Sequence, residues 1–177
     1  MRVVAGTLGG RRLAAPPGDA TRPTSDRVRE ALFSILGDVT GLRALDLFAG
    51  SGALGIEALS RGAAEVTFVD RAPRALRAVR ENLEALGLTA TVLRRDALAA
   101  LGDAARRGDQ YDLVLLDPPY GLAGELGPRL STALPPVLAP GARVVAESDR
   151  RLALSLDLPL ELERRYGDTV IRIHQLS

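Results

Sequence analysis

The chain has no cysteine and a single histidine in 177 residues, and these two scarcities remove whole classes of chemistry. Without a thiol there is no disulfide framework, no thiolate metal site and no cysteine nucleophile. One imidazole, His174 near the carboxyl end, cannot build a multi-histidine metal centre and is poor material for a Ser-His-Asp triad. Its expected role is packing or exposure on a terminal strand, and no metal is expected. Lysine is absent as well, so all 23 basic residues are arginine. Arginine's planar fork matches phosphate bidentately and stacks on bases, which suits RNA, although GC-rich coding produces the same bias. A net charge of +1 excludes a uniformly basic nucleic-acid coat. No apolar stretch reaches membrane-spanning length and no signal-peptide pattern opens the chain, so a cytoplasmic protein with no membrane partner is expected. With 46% hydrophobic residues, the length suits one domain with a substantial core.

What is present is a run of apolar segments with polar tips. Tyr111-Asp112-Leu113-Val114-Leu115-Leu116 reads as a buried strand, stopped at Asp117-Pro118-Pro119-Tyr120 by two prolines that cannot continue a ladder. A strand's carboxyl end is where open α/β sheets bind ligands. There Asp117 and the Pro118 carbonyl offer two acceptors, and Tyr120 adds a flat ring. Such a set suits an exocyclic amine on a planar base: two acceptors hold its N–H bonds and turn the nitrogen lone pair toward an electrophile. An ordinary turn closed by Pro-Pro is the plain alternative.

Upstream, Leu45-Asp46-Leu47-Phe48-Ala49-Gly50-Ser51-Gly52-Ala53-Leu54-Gly55 predicts a strand, a glycine-rich turn and the start of a helix. The G-x-G-x-x-G spacing alone is a weak discriminator. Val66-Thr67-Phe68-Val69 ends in Asp70, placed to accept ribose hydroxyls or to cap a helix. Thr91-Val92-Leu93 leads through Arg94-Arg95 to Asp96, placed near an adenine amine or as another N-cap. Four successive strands thus carry acidic or glycine-rich tips on one edge. Nicotinamide chemistry explains the first tips but not Asp-Pro-Pro-Tyr, whereas S-adenosylmethionine with an amino acceptor explains all four.

The coarse pattern predicts a short hairpin from residues 2–5 and 12–15, a Pro- and Gly-rich loop over 16–24, and a helix from Ser25 with Val28, Ala31, Leu32, Ile35 and Leu36 inward. Helices follow near 53–61, 73–86, 97–106 and 124–134. Strands are expected near 65–70, 90–94, 111–117 and 142–147, and 160–166 and 169–175 form a closing hairpin around Gly167-Asp168. Pro73 suits a first helical turn and Gly87 a C-cap.

Asp-Pro-Pro-Tyr resembles the signature of amino-directed nucleic-acid methyltransferases. A closer resemblance rests on Val4-Ala5-Gly6 with Gly10-Arg11-Arg12-Leu13, Arg22-Pro23-Thr24-Ser25-Asp26-Arg27-Val28-Arg29-Glu30-Ala31-Leu32-Phe33, the stretch Asp46 to Ala63, and Tyr166-Gly167-Asp168-Thr169. These segments look like the bacterial 16S ribosomal RNA guanine-N2 methyltransferase family and span nearly the whole chain. The resemblance implies a Rossmann-like class I methyltransferase: a mostly parallel seven-stranded sheet with a C-terminal antiparallel hairpin, and a small N-terminal β-hairpin extension (residues 1–24) on a core of 25–177. It implies S-adenosylmethionine as cofactor, held by Asp46, Phe48, Gly50, Gly52, Asp70 and Asp96, with Arg22, Pro23 and Thr24 as a lid. Phe48 could equally be a core aromatic, and Pro23 and Thr24 could simply start the helix. Catalysis falls to Asp117, Pro118, Pro119 and Tyr120. The implied partner is ribosomal RNA within a small-subunit assembly intermediate, met by a monomer. Residues 1–30 hold six arginines (Arg2, Arg11, Arg12, Arg22, Arg27, Arg29) against three acids (Asp19, Asp26, Glu30). Arg11 and Arg12, then Arg27 and Arg29, are the candidate RNA contacts. Amino-directed DNA methylation, or a non-catalytic nucleic-acid-binding module, are the competing readings.

Overall fold

The apolar runs become the strands β1 (Arg43–Leu47), β2 (Glu65–Asp70), β3 (Thr91–Arg94), β4 (Tyr111–Leu116), β5 (Leu138–Asp149), β6 (Leu160–Tyr166) and β7 (Thr169–Gln175). The structure, a computed structural model, describes residues 1–16 and 25–177. All seven strands join one sheet in the order β3-β2-β1-β4-β5-β7-β6. The first five are parallel, and β7 and β6 close the far edge in antiparallel fashion. The strand order reverses between β1 and β4, so a crevice opens there at the carboxyl ends of the strands.

Side chains of a strand alternate between the two faces, and the chain fills both with apolar residues. Ala44, Leu113, Leu115 and Val145 lie under α1 (Asp26–Leu36), α2 (Ala53–Ser60) and α3 (Pro73–Leu86). Leu45, Leu47, Val114, Leu116, Val144 and Ala146 lie under α4 (Ala97–Arg107) and α5 (Ala123–Ala133). In α3 the expected stripe of Leu76, Val79, Leu83 and Leu86 is buried. Pro73 opens that helix, and Gly87 ends it at φ 67°, a left-handed conformation that suits glycine.

Two expectations change. The amino-terminal hairpin is a single antiparallel bridge, Arg2 to Arg12, because beyond it the N–H groups of Val4 and Ala5 turn to the Glu57 carboxylate instead of a partner strand. In α1 the buried residues are Arg29, Leu32, Phe33 and Leu36, while Ile35 is 37% exposed. Arg29 turns inward because its charge is matched there: Asp26 Oδ1 lies 2.8 Å away, Glu57 Oε2 lies 3.5 Å away, and the Arg2 carbonyl accepts from the guanidinium. Glu57, itself fully buried on α2, also accepts from the N–H groups of Val4 at 2.8 Å and Ala5 at 3.0 Å, and pairs with Arg61. One carboxylate therefore ties the leader, α1 and α2 together. Asn82 of α3 makes a second tie, bonding both the N–H and the carbonyl of Ala14 as well as the Ser51 carbonyl. The leader is thus held against the glycine turn.

Candidate active site

Between β1 and α2 the backbone makes a chain of unusual conformations. Phe48 sits at φ 64°, Gly50 at 57° and Gly52 at 82°, with Gly52 as the residue before α2. A bulky side chain at positive φ is strained, and at Phe48 the ring lines the adjacent cleft. Gly55 has a different reason: a Cβ there would stand 2.4 Å from the Phe68 ring, so only glycine lets α2 pack this closely on β2. Gly52 shapes the turn, and a Cβ there would stand 3.3 Å from the Phe68 and Val79 side chains.

Four acidic residues, Asp46, Asp70, Asp96 and Asp117, line the cleft beside this turn. Asp46 is 1% exposed and its Oδ2 accepts from the Gly55 N–H at 2.9 Å. Burial pushes its carboxyl up to about 8; the Gly55 bond acts the other way, and the charge of Asp70 adds to the rise. At the tip of β2, Asp70 accepts from Gly50 N–H on Oδ2 at 3.0 Å and from Ala72 N–H on Oδ1 at 2.9 Å. Each oxygen keeps a further lone pair for a ligand hydroxyl. Asp96 caps α4, its Oδ1 accepting from Leu98 and Ala99 N–H groups at 3.1 Å, and it also lines the cleft. Capping and ligand contact were alternatives in the sequence; the fold makes them compatible.

Asp117 follows β4, half-buried, with Pro118 buried and Pro119 and Tyr120 on the surface. Tyr120 is 57% exposed, so its ring is open to a stacking partner. These four residues form a shared wall between two hollows. On one side is a cleft of about 420 Å³ that holds Asp46, Phe48, Gly50, Asp70 and Asp96. That volume lies in the range of small-molecule and cofactor sites. On the other is a smaller pocket of about 80 Å³, bounded by Ser25 and Val28 of the α1 end, Glu147 to Asp149 of β5, and Tyr166 and Thr169 of the final hairpin. Sequence reasoning missed Glu147, Tyr166 and Thr169 for the pocket, and Arg71, Arg74 and Arg95 at the rim of the cleft. Glu147 had a signal, an acid closing the apolar run Val144-Val145-Ala146, as at the other tips.

The cleft fits S-adenosylmethionine in the chemistry of its donor set. Glycines bring backbone close to the ligand, Asp70 can take vicinal hydroxyls, and the carboxylates of Asp70, Asp96 and Asp117 along the cleft favour a cation. The nucleic-acid candidates divide. Arg11, Arg12 and Arg27 are exposed, and Arg11 also donates to the Ala85 carbonyl at 2.9 Å. Arg29 has no exposed surface, so its candidacy as an RNA contact is withdrawn: its charge is spent on Asp26 and Glu57. Arg22, Pro23 and Thr24 lie outside the described residues. His174 is buried in β7, with Nδ1 3.1 Å from the Leu158 carbonyl, and burial holds its pKa below the ordinary histidine value. Among the described residues no cluster of His, Cys, Asp or Glu could hold a metal ion, and no helix is long and apolar enough to cross a membrane.

A family model described as Conserved hypothetical protein 95 matches residues 1–175. Over 183 aligned positions, covering 99% of this chain and 98% of the relative, the chain is 43% identical to YlbH of Bacillus subtilis, whose name provisionally makes it an rRNA methyltransferase. It is 40% identical over 122 residues to ribosomal RNA small subunit methyltransferase D of Escherichia coli, a match covering 68% of this chain and 60% of that protein. Among solved structures, the 16S rRNA N2 G1207 methyltransferase RsmC of Thermus thermophilus, in complex with AdoMet and guanosine, superimposes with a TM-score of 0.74. That match spans 100% of this chain and 49% of RsmC at 22% identity, and it shows a shared fold. The architecture is that of the class I methyltransferases: yhhF of Escherichia coli, whose title provisionally makes it a methyltransferase, is 34% identical and superimposes over 100% of this chain and 98% of its own with a TM-score of 0.82.

Proposed function

We propose that this chain, which belongs to the Conserved hypothetical protein 95 family, is an S-adenosylmethionine-dependent ribosomal RNA methyltransferase of the small subunit that methylates the exocyclic N2 amine of a guanine. The observation that carries this reading is the position of Asp117-Pro118-Pro119-Tyr120 as the common wall of the large cleft and the small pocket. A donor in one hollow and an acceptor base in the other meet at that wall.

Asp46, Phe48, Gly50, Asp70 and Asp96 hold the cofactor on the cleft side. When bound, S-adenosylmethionine supplies an electrophilic methyl carbon, so no covalent enzyme intermediate is needed. On the pocket side Asp117 accepts one N–H of the amine and the Pro118 carbonyl accepts the other, which frees the nitrogen lone pair to face the cleft. Tyr120 stacks on the base. The nitrogen becomes acidic only once methylated, and Asp117 or water then takes its proton. Asp117 therefore works as an orienting acceptor and not as a strong base. Correct orientation of two reactants contributes roughly 7–11 kcal/mol. Entry of the base requires unstacking, which costs a few kcal/mol and favours a guanine in a loop. Arg11, Arg12 and Arg27 hold the flanking phosphates, and the substrate is ribosomal RNA in an assembly intermediate of the small subunit.

Mass-spectrometric mapping of modified nucleosides in 16S RNA from cells lacking the protein tests the reading. One N2-methylguanosine should vanish and return when the gene is restored. Loss of N6-methyladenosine or N4-methylcytidine instead would reassign the base. An unchanged modification map, with no heat of S-adenosylmethionine binding in calorimetry, would make the protein a non-catalytic binding module.

A further inference from the structure

Asp117 has a second carboxylate beside it. Leu116 of β4 pairs with Ala146 of β5 in parallel register, so the residues that follow, Asp117 just past β4 and Glu147 near the end of β5, stand side by side at the carboxyl edge. Such strands run about 4.8 Å apart. Alternation places both side chains on one face, continuing the parity of Leu113, Leu115 and Val145 above the α1 layer. Glu147 is 6% exposed, and it lines the small pocket together with Asp117, Tyr120 and Thr169. Ser148 Oγ accepts from the Leu154 N–H at 2.9 Å and Asp149 Oδ1 from the Arg151 N–H at 2.7 Å, and both bonds build the turn after β5.

The chemistry of the bases gives Glu147 a use that Asp117 does not cover. Guanine N2, adenine N6 and cytosine N4 all present two N–H bonds, so an amine-holding wall does not tell them apart. The ring nitrogen beside the amine on the Watson–Crick edge does. In guanine it is N1–H, a donor; in adenine N1 and cytosine N3 it is a lone pair. A carboxylate is a pure acceptor, so it pairs with the first and repels the other two. We propose that Glu147 accepts the N1–H of the target base and thereby selects guanine among the amino-bearing bases. The proposal rests on the reading of the tetrapeptide as the amine holder, and it adds the residue that reads the ring.

The test uses 16S RNA carrying either guanine or 2-aminopurine at the mapped target, joined by splint ligation. 2-Aminopurine keeps the reacting amine but has a lone pair at N1. Wild-type enzyme should favour guanine in kcat/KM by on the order of 100-fold, the discrimination of a good hydrogen-bonded base contact. In Glu147→Gln the amide can donate to N1 of 2-aminopurine, and the preference should shrink by about tenfold or more. Glu147→Ala should lose activity on guanine and show little preference. Cofactor affinity and melting temperature are measured on each variant, since a structural role would lower both substrates together. An unchanged guanine-to-2-aminopurine ratio in Glu147→Gln, with guanine N2 still methylated by wild type, would overturn the role of Glu147 alone. Absence of transfer to guanine N2 by wild type would overturn the underlying reading instead.

Discussion

Replacing Asp46 by asparagine should stabilise the empty protein above neutral pH and flatten its response to pH. The carboxyl lies under the glycine turn at 1% exposure, and burial pushes it up to about 8 from an ordinary value of 3.8. Between those two values only the folded chain binds the proton, so folding is favoured at low pH and loses stability as pH rises toward 8. Each pH unit in that window is worth about 1.4 kcal/mol, which makes roughly 3 kcal/mol between pH 5 and pH 7. In a domain of this size that corresponds to a fall of about 6–12 °C in melting temperature. Asparagine preserves the shape and the acceptor for the Gly55 N–H but carries no titrating proton. Other groups titrate in both proteins. His174, whose pKa burial lowers, destabilises the fold as pH falls below its ordinary value, and Asp38, Asp103 and Glu163, whose pKa values are lowered mainly by hydrogen bonds, act at still lower pH. Their contributions cancel in the difference between wild type and variant. Urea unfolding at pH 5, 6, 7 and 8 measures that difference. Parallel stability curves for the two proteins would show that Asp46 is ionised in the fold and that the argument from burial fails.

Asp117→Ala should abolish methyl transfer while leaving S-adenosylmethionine affinity within a few-fold by titration; a rate above a tenth of wild type would remove its role as amine holder. The Arg11→Ala, Arg12→Ala double variant should bind cofactor normally but RNA more weakly, with the slope of log affinity against log salt reduced by about 0.7–0.9 for each phosphate that the variant no longer neutralises. Both residues are exposed, so a melting curve close to wild type should accompany that change, and an unchanged salt slope would point to Arg27 instead. Glu57→Gln should cost about 3–5 kcal/mol in urea unfolding, because it leaves the buried Arg29 and the partly buried Arg61 short of a counter-charge and weakens the hold on Val4 and Ala5. A destabilisation under about 1 kcal/mol would show that the leader is held by its apolar packing alone.

Much of the fold was legible because it is written in local signals. Apolar runs stopped by proline, glycine or aspartate marked the strands, and the closing hairpin appears at Leu160–Tyr166 and Thr169–Gln175 as expected. Period-3.6 spacing with Pro73 and Gly87 marked α3. The site was legible where a motif sits on a single turn: the glycine stretch after β1 and Asp-Pro-Pro-Tyr after β4 are each a few residues long and carry their own chemistry. Parallel order then brings such tips to one edge whatever the helices between them contain.

Burial and pairing were decided elsewhere. Arg29 reads as a surface cation on an amphipathic helix, and it becomes a core residue only because Glu57, 28 positions later, meets it from α2. Asp46 holds its proton because the turn and α2 shut water out, a property of the assembled layers and not of the motif. Asp117 and Glu147 become neighbours through the register of β4 on β5, which no spacing along the chain encodes. Backbone preference and hydrophobic period act over a few residues and are readable there. Desolvation and charge pairing depend on what fills the space around a group, and that is known only when the layers have closed.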